Sequence, residues 1–438
     1  MRYDRGMTAE IAILNRSAVA MAADSAVTMS MGRNHKIFPT ANKIFALSNT
    51  EPVGIMIYGG AEFMGVPWET VIKVLRGRLK DKSFSHLADY AKWFRETLAG
   101  AKDLVVGHAT ADYVAQCVLS YFDFIVQEAG KQIKEHLALN STISEDEAAA
   151  IYANTIAEHA SHWKKGEPMA GVTKSQVTVI QRELKKHLDK LTEHAFGKLP
   201  LTAKMRTDLG SLAESIFSRE SAVMRTSDSG VVIAGFGRSQ IVPAITSMDI
   251  RGVINGVLQW KMGHDYAMEK MRYGAIIPFA QTDEVYNFLE GIHPDYQTRL
   301  ENDFQHILSK ATEIVTDEIR GLDDAEKKRA REAVADNLKA EFNAYREKLR
   351  EFRSDQYSMP ILQVLDGTPK DQLASMAEAL VNLTSFKRRV SMQAETVGGP
   401  IDVALISKGD GLVWVKRKHY FPADLNHQFF SRYNRDLP

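Results

Sequence analysis

The sequence predicts a mixed α+β fold, and three observations carry that expectation. Short apolar runs bounded by polar or glycine-containing turns recur near the N-terminus, across 230–260 and across 401–416. Such runs read as strands joined by tight turns. Two long stretches, 104–225 and 293–354, read as helices instead. Gln372 to Arg388 adds a helical face, with Leu373, Met376, Leu380 and Leu383 three or four residues apart.

In chain order, Thr8 to Ser25 reads as strand, turn, strand, with Asn15, Arg16 and Ser17 in the turn. A hairpin of this length returns the end of its second strand to the start of its first, so Thr8 and Asp24 are expected to be neighbours. Ile44 to Leu47 continues as a strand after Lys43, and Gly54 to Tyr58 forms another before Gly59-Gly60. The 104–225 stretch is rich in Ala, Glu, Lys, His and Leu, with few glycines as punctuation. Strands are expected at 230–237, at Ile241 to Ile250 and at Gly252 to Trp260. Within 293–354, the residues Ala330, Val334, Leu338, Phe342, Tyr345, Leu349 and Phe352 form one apolar stripe. It predicts a helix packed on its neighbours, with an oligomer contact as the alternative. Strands Ile401–Ile406 and Gly411–Lys416 close the chain.

Composition bounds the function. The chain has 438 residues, 45% hydrophobic and 25% charged, with net charge +0. That is a globular profile, and zero net charge argues against general attraction to nucleic acid or an anionic membrane. The single Cys117 excludes an intrachain disulfide framework and is expected to be a buried thiol. No run approaches 18 apolar residues, and Ile11–Leu14 is too short for a signal-peptide core, so a cytoplasmic location is expected. Neither a phosphate-binding loop nor an HExxH motif occurs, and Gly235-Phe-Gly-Arg-Ser-Gln lacks the third glycine of a dinucleotide turn. His159 and His162 are read as surface residues, since zinc needs more ligands at defined spacing. No cofactor or metal is expected.

Thr8 carries the chemistry. A threonine hydroxyl needs an adjacent base to become a nucleophile, and the amine of an N-terminal threonine can be that base. Such an amine titrates near pH 8, so part of it is neutral at physiological pH. Thr8, the run Val19-Ala-Met-Ala-Ala-Asp-Ser sixteen residues on at Asp24, the strand after Lys43, and Gly54-Ile-Met-Ile-Tyr-Gly-Gly stand in order near the N-terminus. This arrangement resembles the opening of a proteasome β-type subunit, within the N-terminal nucleophile hydrolases. The likeness extends over roughly 8–100, 229–291 and 368–420.

The resemblance implies a four-layer αββα sandwich of two antiparallel sheets flanked by helices. It implies sandwich segments at 8–103, 229–292 and 368–438, with helical insertions at 104–228 and 293–367 and a dispensable leader or misassigned start at 1–7. Translation from Met7 with methionine removal is the favoured route to a free Thr8, since Gly6 stands one place too early for self-cleavage. By resemblance, Thr8 attacks an amide carbonyl, Lys43 favours the neutral amine and the alkoxide, and Asp24 fixes Lys43, with Lys36 as its rival. The Gly59 N–H faces the oxyanion, and a peptide binds as an added strand near Thr28 and Gly60. An ungapped match puts Ala394 and Val397 where the family has an Asp and a Ser. Glu395 replaces the Asp only with a one-residue shift, and Gln281 or Thr282 stands in for a missing Ser-Gly pair. The implied activity is a threonine peptidase acting on a peptide or protein substrate, as a homo-oligomer without nucleic-acid or membrane partners. The alternatives are a catalytically inactive scaffold that binds partners and, less favoured, an amidase for small amides.

Overall fold

The structure, a computed structural model, describes residues 8–31, 34–38, 40–197, 199–220, 229–318, 321, 323–391, 398–419, 421–428 and 431, with side chains described at all of these except 28–31, 34–37 and 423. It is a mixed α+β fold with two five-stranded antiparallel sheets and many helices.

The N-terminal hairpin forms as expected, from β1 (Glu10–Leu14) and β2 (Ala18–Ala23). Every residue of both strands is buried, which explains why their apolar runs do not alternate with polar residues. Asn15 fixes the turn. Its side-chain oxygen accepts from the Ser17 N–H at 2.9 Å, and its amide nitrogen donates to the carbonyls of Leu365 and Thr368. A separate ribbon follows, β3 (Val27–Met31) with β4 (Asn34–Phe38). Next come β5 (Ile44–Ala46), β6 (Val53–Gly59), the short pair β7 (Glu62–Phe63) and β8 (Val66–Pro67), and helices α1 (Trp68–Leu79) and α2 (Leu87–Gly100).

Among the described residues, five helices occupy the first expected insertion: α3 (Ala109–Asn140), α4 (Glu145–Lys164), α5 (Lys174–Leu184), α6 (Leu188–Phe196) and α7 (Ala203–Ser218). They enclose their own core around Tyr121, Phe122, Trp163, Leu212 and Phe217, which also takes in Ile254 and Val257. Cys117 is buried in it. His159 departs from the surface reading: it is half-buried, with Nδ1 2.9 Å from the Tyr121 hydroxyl and Nε2 3.1 Å from Glu128.

The chain then returns through β9 (Ser229–Gly235), β10 (Ala244–Ile254), β11 (Val257–Ala267) and β12 (Ala275–Ala280). One expected boundary was wrong. Gly252 does not open a strand but lies inside β10, where a Cβ would stand 2.6 Å from the Tyr113 ring. The turn is Asn255-Gly256, with φ of 48° and 84°. These left-handed values suit the twist of a two-residue hairpin. After α8 (Asp283–Glu290) come the long α9 (Pro294–Glu318) and α10 (Asp324–Arg353), then α11 (Met359–Asp366), α12 (Lys370–Val390), β13 (Asp402–Ser407) and β14 (Gly411–Lys416). The stripe on α10 is divided. Phe342 is buried against α9, Tyr345 stacks on Phe304 of α9 but stays about half exposed, and Leu349 and Phe352 are exposed, because α9 covers only part of that face.

The first sheet runs β12-β1-β2-β13-β14 and the second β11-β10-β9-β6-β5. Alternate residues divide the first sheet's two faces, as a pleat requires. Ala12, Leu14, Val19 and Met21 join Met56, Val232, Ala234 and Ile245 of the second sheet in a shared core. Ile11, Ile13, Ala20 and Ala22 turn the other way, to Leu373, Ala377 and Val381 of α12. On the second sheet, Ile55, Ile57, Val231 and Ile233 meet Val71, Leu75, Tyr90 and Phe94 of α1 and α2. Gly54 lets the sheets approach: a Cβ there would lie 2.7 Å from both Ile406 Cδ1 and Met21 Cε.

Candidate active site

Thr8 stands two residues ahead of β1, and Asp24 directly follows β2. Because Glu10 pairs with Ala23 across the ladder, the open end of the hairpin sets the two side by side. The Ala9 N–H donates to Asp24 Oδ1 at 3.1 Å, and the Asp24 N–H donates to the Ala9 carbonyl at 3.1 Å.

Lys43 arrives from the second sheet. Its carbonyl accepts from the Ile57 N–H at 2.9 Å, which holds its backbone against β6. Its ammonium crosses the inter-sheet space to lie 2.5 Å from Asp24 Oδ1 and 2.9 Å from Glu10 Oε1. Thr8, Glu10, Asp24 and Lys43 are all buried, and even Lys43, the most exposed of them, exposes only 5% of its surface. Buried charges persist where they are paired and hydrogen-bonded, as these are.

Asp24 has both oxygens occupied. Besides Ala9 and Lys43 on Oδ1, Oδ2 accepts from the Gly398 N–H at 2.9 Å and the Ala26 N–H at 3.4 Å. The C-terminal glycine turn therefore docks on this end of the hairpin. Ser25 reinforces it, its N–H donating to the Gly398 carbonyl at 3.2 Å and its hydroxyl to that of Pro400.

Glu10 is the member that sequence reasoning missed. Thr8 Oγ donates to Glu10 Oε2 at 3.0 Å. The signal was available: Glu10 is a lone carboxylate opening an apolar run, two residues from Thr8 and thus on the same side of an extended chain. Burial is the largest influence on Glu10 and raises its pKa to about 7. The charge of Asp24 pushes the same way, and Lys43 and the Thr8 hydrogen bond oppose it. A second, partly buried pair lies in the same field. The Lys418 ammonium bonds to Asp402, whose backbone pairs with Ala23. Burial pulls the Lys418 pKa down, Asp402 counteracts, and the positive charge of Lys43 adds to the lowering.

The other expected site residues are placed less directly. Gly59 ends β6 with φ of 77°, two residues past Ile57, and the Gly60 carbonyl accepts from the Ser229 hydroxyl at 3.2 Å. Gln281 is buried with φ of 49° and follows β12, whose Ala280 pairs with Glu10. Thr282 begins α8. Gly59, Gly60 and Thr282 have no described hydrogen bond to Thr8. Thr28 lies in β3, but its side chain is outside the described residues, as is that of Lys36. Ala394, Glu395 and Val397 also fall outside them.

Asp283, His293 and Asp295 are the one described group with metal-ligating atoms gathered within 4.8 Å of one another. His293 is already engaged there: Nδ1 accepts from the Asp295 N–H at 3.2 Å, and Nε2 lies 3.8 Å from Glu284. Among the described residues no helix is long and apolar enough to cross a membrane. No protein-family model matches this chain, and no curated protein matches it in sequence.

Proposed function

We propose that this chain is a threonine hydrolase of the N-terminal nucleophile class, similar to proteasome β-type subunits, that cleaves peptide bonds with Thr8 once its amine is free. The observation that carries this reading is the buried cluster in which Asp24 and Lys43, from different sheets, meet beside Thr8. A cation there favours an alkoxide on Thr8 and a neutral amine, and Asp24 holds that cation in place. Gly59, with its left-handed backbone at the end of β6, is the candidate oxyanion donor. A shared core between two sheets, with α12 outside one and α1 and α2 outside the other, fits the αββα order of such hydrolases. On this reading the substrate is a peptide or protein, the assembly is homo-oligomeric and neither nucleic acid nor membrane is a partner.

One observation favours a second reading, an inactive scaffold: Thr8 is buried, exposing only 3% of its surface. Intact-mass measurement of the protein from its native source separates the two readings. A chain beginning at Thr8, labelled on that residue by a β-lactone probe, supports the hydrolase. A chain that keeps Met1 or Met7 and takes no label supports the scaffold.

A further inference from the structure

Three carboxylates and two ammonium groups share the buried region: Glu10, Asp24 and Asp402 against Lys43 and Lys418. Asp402 is held by Lys418, and Asp24 has donors on both oxygens. Among these five groups Glu10 is the surplus acid, and the Thr8 amine, once free, adds a further titratable group two residues from it. Glu10 Oε1 lies 2.9 Å from the Lys43 ammonium, which Asp24 shares, while Oε2 accepts the Thr8 hydroxyl. The proton on Thr8 Oγ is therefore already directed at a carboxylate.

We infer that Glu10 is a catalytic residue, the general base that takes the Thr8 hydroxyl proton. The inference rests on reading Thr8 as the nucleophile, and it replaces the Thr8 amine in the role of base. As the Oγ–H bond breaks, its proton passes to Glu10 Oε2 and the oxygen bonds to the substrate carbonyl carbon. Collapse of the tetrahedral adduct breaks the C–N bond, and Glu10 returns the proton to the leaving amine. This leaves a Thr8 ester. Water then gives a proton to Glu10 and its oxygen to the acyl carbon. The ester C–O bond breaks and the proton returns to Thr8, so a carboxylic acid and an amine leave and the enzyme is unchanged.

Geometry makes this possible at 3.0 Å, within the reach a proton transfer requires. The environment supports it, because burial raises the Glu10 pKa and so makes the carboxylate a stronger proton acceptor. The charged groups facing it are Lys43 ahead of β5 and Asp24 after β2, with Asp402 and Lys418 around them.

The test is the rate of β-lactone labelling of Thr8, followed by mass and measured from pH 5 to 9, in the wild type, E10Q and E10D. The expected wild-type rate rises with pH as Glu10 loses its proton, at a pKa that burial raises. E10Q should label roughly 100-fold more slowly and lose that rise. E10D keeps a carboxylate that is one methylene further away, so it should retain the rise at a reduced rate. Wild-type-like rates and profile in E10Q, or in E10D should E10Q not fold, overturn the role of Glu10 while leaving Thr8 as nucleophile. A wild type that never labels overturns the nucleophile reading itself, and the Glu10 role with it.

Discussion

Glu10 is the residue where charge and burial conflict most. Its carboxyl titrates at about 7 in the folded chain against 4.5 as a free group. Between those pH values the folded state holds a proton that the unfolded state has released. Stability must then fall as pH rises through this window, and the cost is fully present above pH 7. A shift of this size corresponds to roughly 3 kcal/mol. E10Q carries no ionisable group, so denaturant titrations at pH 5 and pH 8 should show a smaller loss of stability than in the wild type. An equal loss in both proteins would place the pH dependence elsewhere. Lys43 limits this penalty without removing it, since its charge is shared between Glu10 and Asp24.

Individual elements depend on local backbone chemistry that is easy to misplace by pattern alone. The β10–β11 hairpin turns on Asn255-Gly256, both in the left-handed region. A β-branched side chain is strained there, so Gly256→Val should cost about 1–2 kcal/mol. Urea unfolding checks this: Gly252→Val, which meets the Tyr113 ring inside β10, should be destabilising through a clash, whereas Gly256→Val acts through φ. The N-terminal hairpin was legible because Asn15-Arg16-Ser17 separates two runs of matching length, and Asn15 does close the turn. The β10 boundary was not, because a glycine in a strand interior and a glycine in a turn look alike until the opposing ring is placed.

Across the whole molecule, burial is uneven. The strands around the candidate site are covered on both faces, and the α3–α7 helices enclose their own core. Among the described residues the α9–α10 hairpin buries only Thr312, Thr316 and Phe342 and leaves Leu300, Phe304 and Ile307 about half exposed or more. Local opening needs little energy where few apolar contacts are lost. Amide hydrogen exchange should therefore be fastest along α9 and α10, intermediate in α3–α7 and slowest in β1, β2 and β13. Equal protection of α9 and β1 in the isolated chain would contradict this.

The sequence by itself determined the mixed α+β class, the hairpin that sets Thr8 beside Asp24, the strand after Lys43 and the positions of the long helices. These follow from local periodicity and turn residues, which act over a few neighbours in the chain. Only the tertiary structure decided that Lys43 crosses between sheets to Asp24, that α9 buries Phe342 but leaves Leu349 and Phe352 exposed, and that Glu10 is buried against the Thr8 hydroxyl. Each depends on which surfaces meet in space. For Glu10 the effect is largest, because a carboxylate that would be an ordinary strand residue in water becomes a proton acceptor when burial removes its solvent.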